Sequence, residues 1–435
     1  MLELQGKHCK DCKIFTDKIE EEALSTIHRI LNHPTSEDNK IRIMPDVHKG
    51  KGESVIGFSM PLNEYVNPDV VGCDIGCSVT VCILDKKIDS KDYEIIEYRI
   101  RKEIPFGFEI NDERQFDMKE FFRFIQNFYN RAKSQWPEMV GEFDISEKGI
   151  SKFLKRIRMD ERVFWKTIPS FGSGNHYCEL GDVEGQEVSA FSIHTGSRNL
   201  GQKIYQYWSN VAKEPQSKKI AFKESLQTLK KTCKDKRELP KLIQELKDRL
   251  DNDVRFCNGY LRDEEMSGYI TDMVIATAYA QFNHLIITRK IADILLHTCN
   301  AKITEKICSI HNYIDFEDHI IRKGAIRAYE GEKMVIPFNM RDGLAICEGR
   351  SNEDWLCTAP HGAGRILSRN SAKKQLSLDA FKEQMKDIYS TSVNASTLDE
   401  APDAYKPYQE ILDAIEPTAK ILYLIKPTIN LKSNG

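Results

Sequence analysis

No apolar run in the chain approaches the roughly 18 residues that a membrane-spanning helix needs. The first residues, Met1 to His8, lack the apolar core of a signal peptide, so a cytoplasmic protein with no membrane partner is the expectation. Charge of one sign is also scarce. A formal net charge of −3 excludes a protein that coats nucleic acid through bulk basicity, and any RNA contact must come from a local basic groove. There is no internal repeat and no low-complexity linker. Nor is there a disulfide framework: twelve cysteines scattered over 435 residues read as buried thiols or metal ligands. Cys9 and Cys12, beside His8, look like half of a zinc site but have no partner pair at a usual spacing, and are read as incidental. Cys73, Cys178 and Cys357 are read as packing residues.

What is present is ordinary globular composition, 40% hydrophobic and 30% charged, in a length that permits two or three domains. Apolar spacing of three and four over residues 14–32 predicts an amphipathic helix. The short run Ile41 to Met44, broken by Pro45, predicts a strand leading into the glycine-rich loop up to Gly52. Val55–Met60 and Val79–Leu84 read as further strands, residues 119–136 as a helix, and Thr271–Leu296 as a long buried one. About residues 200–265 a charged segment keeps helical apolar spacing (Leu239, Leu242, Ile243, Leu246, Leu250) and reads as a helical insertion. A final helix, Tyr408–Glu416, precedes a strand-like tail, Ile421–Ile425. The informative residues run from 46 to 432, which argues for one large α+β domain over 1–435. Its central β-sheets would surround a metal-lined cleft flanked by helices.

Asp74 and Cys77 stand three apart in Gly72-Cys-Asp-Ile-Gly-Cys77, so one turn aims both side chains the same way. Alone, the segment reads as a turn with a buried cysteine. His176, His194 and His311 each adjoin Gly, Asn or Ser at an apparent strand end, where functional side chains concentrate. One thiolate, one carboxylate and three imidazoles suit zinc, manganese, iron or cobalt; softness leans towards zinc. The second informative segment is Thr358-Ala-Pro-His361-Gly-Ala-Gly-Arg365. Helix is predicted after Gly364, which would set His361 just ahead of an N-terminus that favours phosphate. A neutral imidazole there could attack a phosphorus, or simply donate a hydrogen bond in a phosphate loop; the loop alone leaves both open. Arg322-Lys323 and Pro337 to Gly343 add cationic loops suited to phosphoryl oxygens, though a surface charge pair is the commoner explanation for any single one of them.

Together these segments resemble the RtcB family of tRNA-splicing and RNA-repair ligases, in order over nearly the whole chain. The matching text is Met44-Pro-Asp-Val-His-Lys-Gly-Lys-Gly52, Gly72–Cys77, Gly174-Asn-His176, His194-Thr-Gly-Ser-Arg198, His311-Asn312, Arg322-Lys-Gly-Ala325 and His361–Arg365. The resemblance implies that Asp74, Cys77, His176, His194 and His311 hold two Mn²⁺ ions, with Cys77 as bridge, which overrides the lean towards zinc. It implies that His361 is guanylylated by GTP, that Asn175 touches the phosphates and Glu179 helps hold the nucleotide, and that Lys432 meets the guanine. Asn339, Met340, Gly362, Ala363, Gly364 and Arg365 complete the implied nucleotide contacts.

The implied reaction joins an RNA 2′,3′-cyclic phosphate or 3′-phosphate to a 5′-hydroxyl, with an archease-type activator as a candidate partner. Three departures touch the nucleotide and RNA contacts rather than the metals or the nucleophile. Phe338-Asn-Met-Arg341-Asp-Gly stands where many members read Gly-Ser-Met-Gly, Thr358-Ala-Pro replaces a Ser/Cys-rich run, and Cys73 replaces an apolar residue. They suggest a divergent bacterial-type branch. The alternatives are a guanylyltransferase or cyclic phosphodiesterase that does not seal, and a non-catalytic RNA-end-binding protein, which has no use for the intact ligands and nucleophile.

Overall fold

In the computed structural model, which describes residues 1–213, 216–233, 235–251 and 259–434, Pro45 does not end its strand. The strand runs Lys40–Lys49. Its ladder to Val55–Pro61 pairs Ile43 with Phe58, then resumes only at His48 with Ile56. Pro45, which has no N–H to donate, falls in that interruption. On the other side the strand pairs in parallel with Asp11–Ile14. Parallel neighbours need a crossover, and the helix Glu21–Leu31 supplies it, burying Ala23, Ile27 and Leu31 at spacings of four. The expected helix from residue 14 is thus shorter. Cys12 and Ile14 are buried by the alternation of a strand, not by helical spacing.

That strand pair belongs to a six-stranded sheet ordered Leu2–Leu4, Asp11–Ile14, Lys40–Lys49, Val55–Pro61, Ile320–Lys323, Tyr313–Ile314. A second, seven-stranded sheet is antiparallel throughout: Lys333–Asn339, Gly343–Gly349, Ala419–Leu431, Tyr177–Val183, Ser189–Thr195, Ser78–Leu84, Ile303–Ile310. It curls until its edge strands meet, where Val335 N–H donates to Ser309 Oγ at 2.9 Å and Lys333 Nζ bonds Glu305 Oε1 at 2.5 Å. A small ladder, Ala325–Arg327 with Thr358–Pro360, lies between the two.

The helix Asp263–Cys299 is the longest element, at 37 residues, and is apolar on nearly every side. Such a helix has to be enclosed. Phe121, Ile125 and Tyr129 of the helix Met118–Gln135 share its core on one side, and Trp208 of the helix Arg198–Lys213 does so on another. Asp263, Glu264 and Glu265 open it at the positive end of its dipole, and Asn300 closes it in the left-handed region, φ 52°. Most of the described part of the charged stretch about 200–265 is helical, as Arg198–Lys213, Gln216–Thr232 and Leu239–Asp251, while Leu261 bridges Val66. Residues 214, 215, 234 and 252–258 of it lie outside the described residues. Among the described residues no helix is long and apolar enough to cross a membrane.

Arg322 has a different role from the one expected. It is fully buried in the strand Ile320–Lys323, and its guanidinium bonds Asp315 Oδ2 at 3.1 Å, Asp318 Oδ2 at 2.6 Å and Thr358 Oγ1 at 3.0 Å. It fastens the six-stranded sheet to the small ladder and has no face left for a phosphate. Removing one member of a buried ionic cluster strands the others. Arg322→Ala is therefore expected to cost about 3–5 kcal/mol, read as a lower urea midpoint at unchanged slope; a midpoint equal to the parent's would show the cluster to be dispensable.

Candidate active site

Sheet register assembles one cluster. His194 is the penultimate residue of the strand Ser189–Thr195, and it lies opposite Tyr177 on one neighbour and Val79 on the other. His176 immediately precedes Tyr177, and Cys77 immediately precedes the strand Ser78–Leu84. His311 follows the strand Ile303–Ile310, whose Ile310 pairs with Ser78. Adjacent strand ends thus deliver four side chains to one point. Cys77 Sγ lies 3.2 Å from His194 Nε2 and 3.5 Å from His176 Nε2. His194 Nε2 lies 3.3 Å from His311 Nε2, and Asp74 Oδ2 closes the group 2.9 Å from His176 Nε2. Two glycines permit the approach: a Cβ on Gly172 would overlap His176 Nδ1, and one on Gly196 would overlap Asp74 Oδ1.

Behind the cluster, His284 of the long helix bonds Thr80 Oγ1 at 2.9 Å and Thr195 O at 2.9 Å, pinning the two central strands. Burial draws its pKa down to about 4, so it serves as a neutral brace.

The electrostatics fit a cation. Burial, then the neighbouring imidazoles, hold His194 and His311 well below the usual histidine range. Burial would raise Asp74, but His176 beside it brings the carboxyl down to about 2. Cys77 is pushed far up by burial and by Asp74, a preference that a bound cation reverses. His176 Nδ1 and His311 Nδ1 are buried without a hydrogen-bond partner. Imidazole nitrogens that converge with a thiol and a carboxylate suit a divalent transition ion. Among the described residues Cys77, His176 and His194 alone bring their donor atoms within 4.8 Å of one another.

His361 stands beside this cluster, its ring centre 4.8 Å from that of His311. The expected helix after Gly364 is absent: helix begins only at Arg369, capped by Ser368, and His361 instead immediately follows the strand Thr358–Pro360. Its orientation comes from Asp46, whose Oδ2 accepts from His361 Nδ1 at 2.7 Å. Asp46 is fully buried in the ladder interruption around Pro45, and Lys406 Nζ holds that backbone through Pro45 O at 2.8 Å and Val47 O at 3.0 Å. A carboxylate at Nδ1 places the proton there and leaves the Nε2 lone pair available.

Both groups open onto a cleft of about 1070 Å³. Asp74 and His194 line it with His361, and so do Asn175, Glu179, Asn339, Met340, Gly362, Ala363, Gly364, Arg365 and Lys432. Glu179 accepts from Asn430 Nδ2 at 2.7 Å, and burial lifts its carboxyl to about 8. Lys432 Nζ bonds Glu400 Oε2 at 2.8 Å, a carboxylate also bound by Arg365 at 3.3 Å and Tyr405 OH at 2.7 Å. Burial would raise Glu400, but Lys432, Arg369 and Arg365 hold it far below the usual range. Glu400, Tyr405, Asn430 and Asp46 carry no local sequence pattern that announces them; Asp46 lies in the quoted Met44–Gly52 text, with no role attached there. Lys323 reaches the cleft as expected, bonding Ser54 Oγ at 2.8 Å, and burial lowers it to about 8. Arg341 does not line the cleft; it pairs with Asp342 at 2.7 Å. Cys73, read as packing, lies on the cleft wall.

With this geometry in hand, a family model described as tRNA-splicing ligase RtcB matches residues 29–433. The RNA-splicing ligase RtcB of Escherichia coli strain K12 is 26% identical over 393 residues, covering 86% of this chain and 85% of that protein. The tRNA-splicing ligase RtcB of Aeropyrum pernix is 25% identical over 430 residues, covering 85% and 82%. The RNA-splicing ligase RtcB of Mycobacterium tuberculosis is 22% identical over 421 residues, covering 85% and 91%.

Gly172 offers a test that leaves every donor in place. Gly172→Ala drives a methyl into His176 Nδ1 and tilts that ring. Affinity of the folded protein for Mn²⁺, titrated calorimetrically, is expected to fall about 10- to 100-fold, and crowding the buried ring should also cost about 1–3 kcal/mol of stability. Unchanged affinity would remove His176 from the metal site.

Proposed function

The chain belongs to the RtcB family of tRNA-splicing ligases, and from that premise we propose that it is a GTP- and Mn²⁺-dependent RNA ligase acting through a histidine–GMP intermediate. The observation that carries the reading is the Asp46–His361 pair at 2.7 Å beside the metal-type cluster. His361 Nε2 attacks the α-phosphorus of GTP; a P–N bond forms, the bond to the β-phosphate oxygen breaks and pyrophosphate leaves. Asp46 steadies the ring as it gains positive charge. An oxygen of the RNA 3′-phosphate then displaces His361 and takes the GMP. The 5′-hydroxyl attacks that activated phosphate, GMP departs and the strand is sealed. A 2′,3′-cyclic end is first opened by water to the 3′-phosphate.

Asp74, Cys77, His176, His194 and His311 would hold the manganese, and five donors are more than one tetrahedral ion uses. Bound there, the metal supplies charge neutralisation on phosphate oxygens and acidifies a hydroxyl. At the far end of the cleft, Lys432, held by Glu400, offers its remaining donors to a base carbonyl. Glu179 and Asn175 supply contacts on the way to the phosphates. RNA ends are the substrate in this reading, the cytoplasm its setting, and an archease-type protein its candidate activator.

The deciding experiment incubates the protein with Mn²⁺ and GTP carrying ³²P at the α-phosphate, then runs a denaturing gel. Wild type should carry label and His361→Ala none. Asp46→Asn, which keeps the shape but loses the charge, should label about 10²-fold more slowly. A wild-type chain that stays unlabelled with GTP and ATP across divalent metals would overturn the nucleophile and favour the end-binding or phosphodiesterase alternatives.

A further inference from the structure

A second imidazole stands beside the Asp46–His361 pair without a task in the chemistry above. His48 lies two residues beyond Asp46 in the strand Lys40–Lys49, and its Nδ1 is 2.9 Å from the main-chain oxygen of Asp46. A carbonyl only accepts, so Nδ1 carries the proton and Nε2 is left as an acceptor. Asp46 therefore fixes two rings at once, His361 through its carboxylate and His48 through its main chain. Lys406 Nζ donates to Pro45 O and Val47 O, on either side of Asp46, and so holds that main chain in one direction.

The two rings share one part of the cleft. The ladder resumes with His48 opposite Ile56, and directly opposed residues put their side chains on one face. Ile56 in turn meets His361 across Gly324: a Cβ there would overlap Ile56 Cγ2 and come within 3.2 Å of His361 Cε1. His48, Ile56 and His361 all line the cleft. Among the described residues His48 Nε2 has no hydrogen-bond partner. Burial draws the ring's pKa down to about 4, so that nitrogen holds a lone pair rather than a proton. Phosphates entering the cleft would raise that value towards the range in which a base works best.

Proton accounting shows where such an acceptor is used. Attack of His361 on GTP releases no proton, because its Nε2 carries none. The RNA 3′-phosphate is already ionised when it takes the GMP. Only two steps release a proton: water opening a cyclic end, and the 5′-hydroxyl attacking the activated 3′-phosphate. A water nucleophile comes with further waters to take its proton; a hydroxyl at the end of a strand packed into the cleft does not.

We propose that His48 Nε2 is the general base for the RNA 5′-hydroxyl in the sealing step. This rests on the RNA-ligase reading above. As the 5′-oxygen bonds to the 3′-phosphorus, its proton passes to His48 Nε2. The bond from that phosphorus to the bridging oxygen breaks, and GMP leaves with the oxygen as a phosphate anion. The imidazolium then gives its proton to solvent.

The test separates the steps. Parent, His48→Asn and His48→Ala, each checked for folding by circular dichroism, receive Mn²⁺, GTP, an RNA ending in 3′-phosphate and an RNA beginning with 5′-hydroxyl. Asparagine keeps a donor near the place of Nδ1 and removes the base. Sealing by His48→Asn should fall about 10²- to 10⁴-fold, and guanylylated RNA should accumulate. Labelling of His361 should stay within a few-fold of the parent's. Imidazole added to His48→Ala should restore part of the sealing. Equal slowing of labelling and sealing overturns the proposal, because His48 would then act only by holding Asp46. Parent-level sealing in His48→Asn overturns it as well. In either case a parent that labels and seals keeps the ligase reading; a parent that does neither removes both.

Discussion

Buried, mutually facing imidazole nitrogens are the constraint on which the rest of this structure turns. The facing atoms are Nε2; each buried polar atom without a partner costs about 1–3 kcal/mol, and His176 Nδ1 and His311 Nδ1, the other nitrogens of two of those rings, are such atoms. Holding them there demands rigidity from every side. Antiparallel register fixes His194 against Tyr177 and Val79. Absent side chains at Gly172 and Gly196 make the room. His284, carried by the enclosed long helix, braces the strands from behind. The curled seven-stranded sheet is thus a frame for one arrangement of donors, and its stability and its chemistry depend on the same residues.

His361, the candidate nucleophile, is held by an independent device. The ladder interruption around Pro45 turns Asp46 inward from the other sheet, and the contact to His361 joins residues 315 positions apart. The cluster and the group that orients His361 therefore belong to different sheets and meet at the cleft. A bond between His361 and a phosphorus can form and break without disturbing Asp74, Cys77, His176 or His194, since none of them positions that ring.

Which of these features the sequence announces follows from how local each one is. Strand ends, the long apolar helix and the Asp74–Cys77 turn are written in stretches of fewer than about forty residues, and periodicity finds them. His176, His194 and His311 stand out because each interrupts such a stretch at its end. Asp46 as an orienting group, and Glu400 and Asn430 as partners of Lys432 and Glu179, arise from pairings across hundreds of residues, which no local pattern encodes. Two misreadings had local remedies. Asp318, four residues before Arg322, already hinted at an ion pair rather than a phosphate loop. Ser368 marked a later helix start than Gly364 suggested, because a serine accepting from the third N–H is a stronger signal than a glycine-rich loop. The helix that periodicity began at residue 14 failed for another reason: alternation and helical spacing coincide over a few residues, and only the parallel neighbour Lys40–Lys49 decides between them.

The charges in the cleft complete the argument. Around Lys432 the cations are already committed: Lys432 and Arg365 to Glu400, and Arg369 to Asp399 at 2.7 Å. Such paired groups offer directional donors but little net positive charge. A triphosphate bound beside His361 would find its neutralisation in the cluster of Asp74, Cys77 and the three histidines, where a divalent ion is the counter-charge the donors call for. In a chain of net charge −3, nucleotide and RNA affinity cannot be a bulk property. It has to be concentrated where the sheets bring donors together.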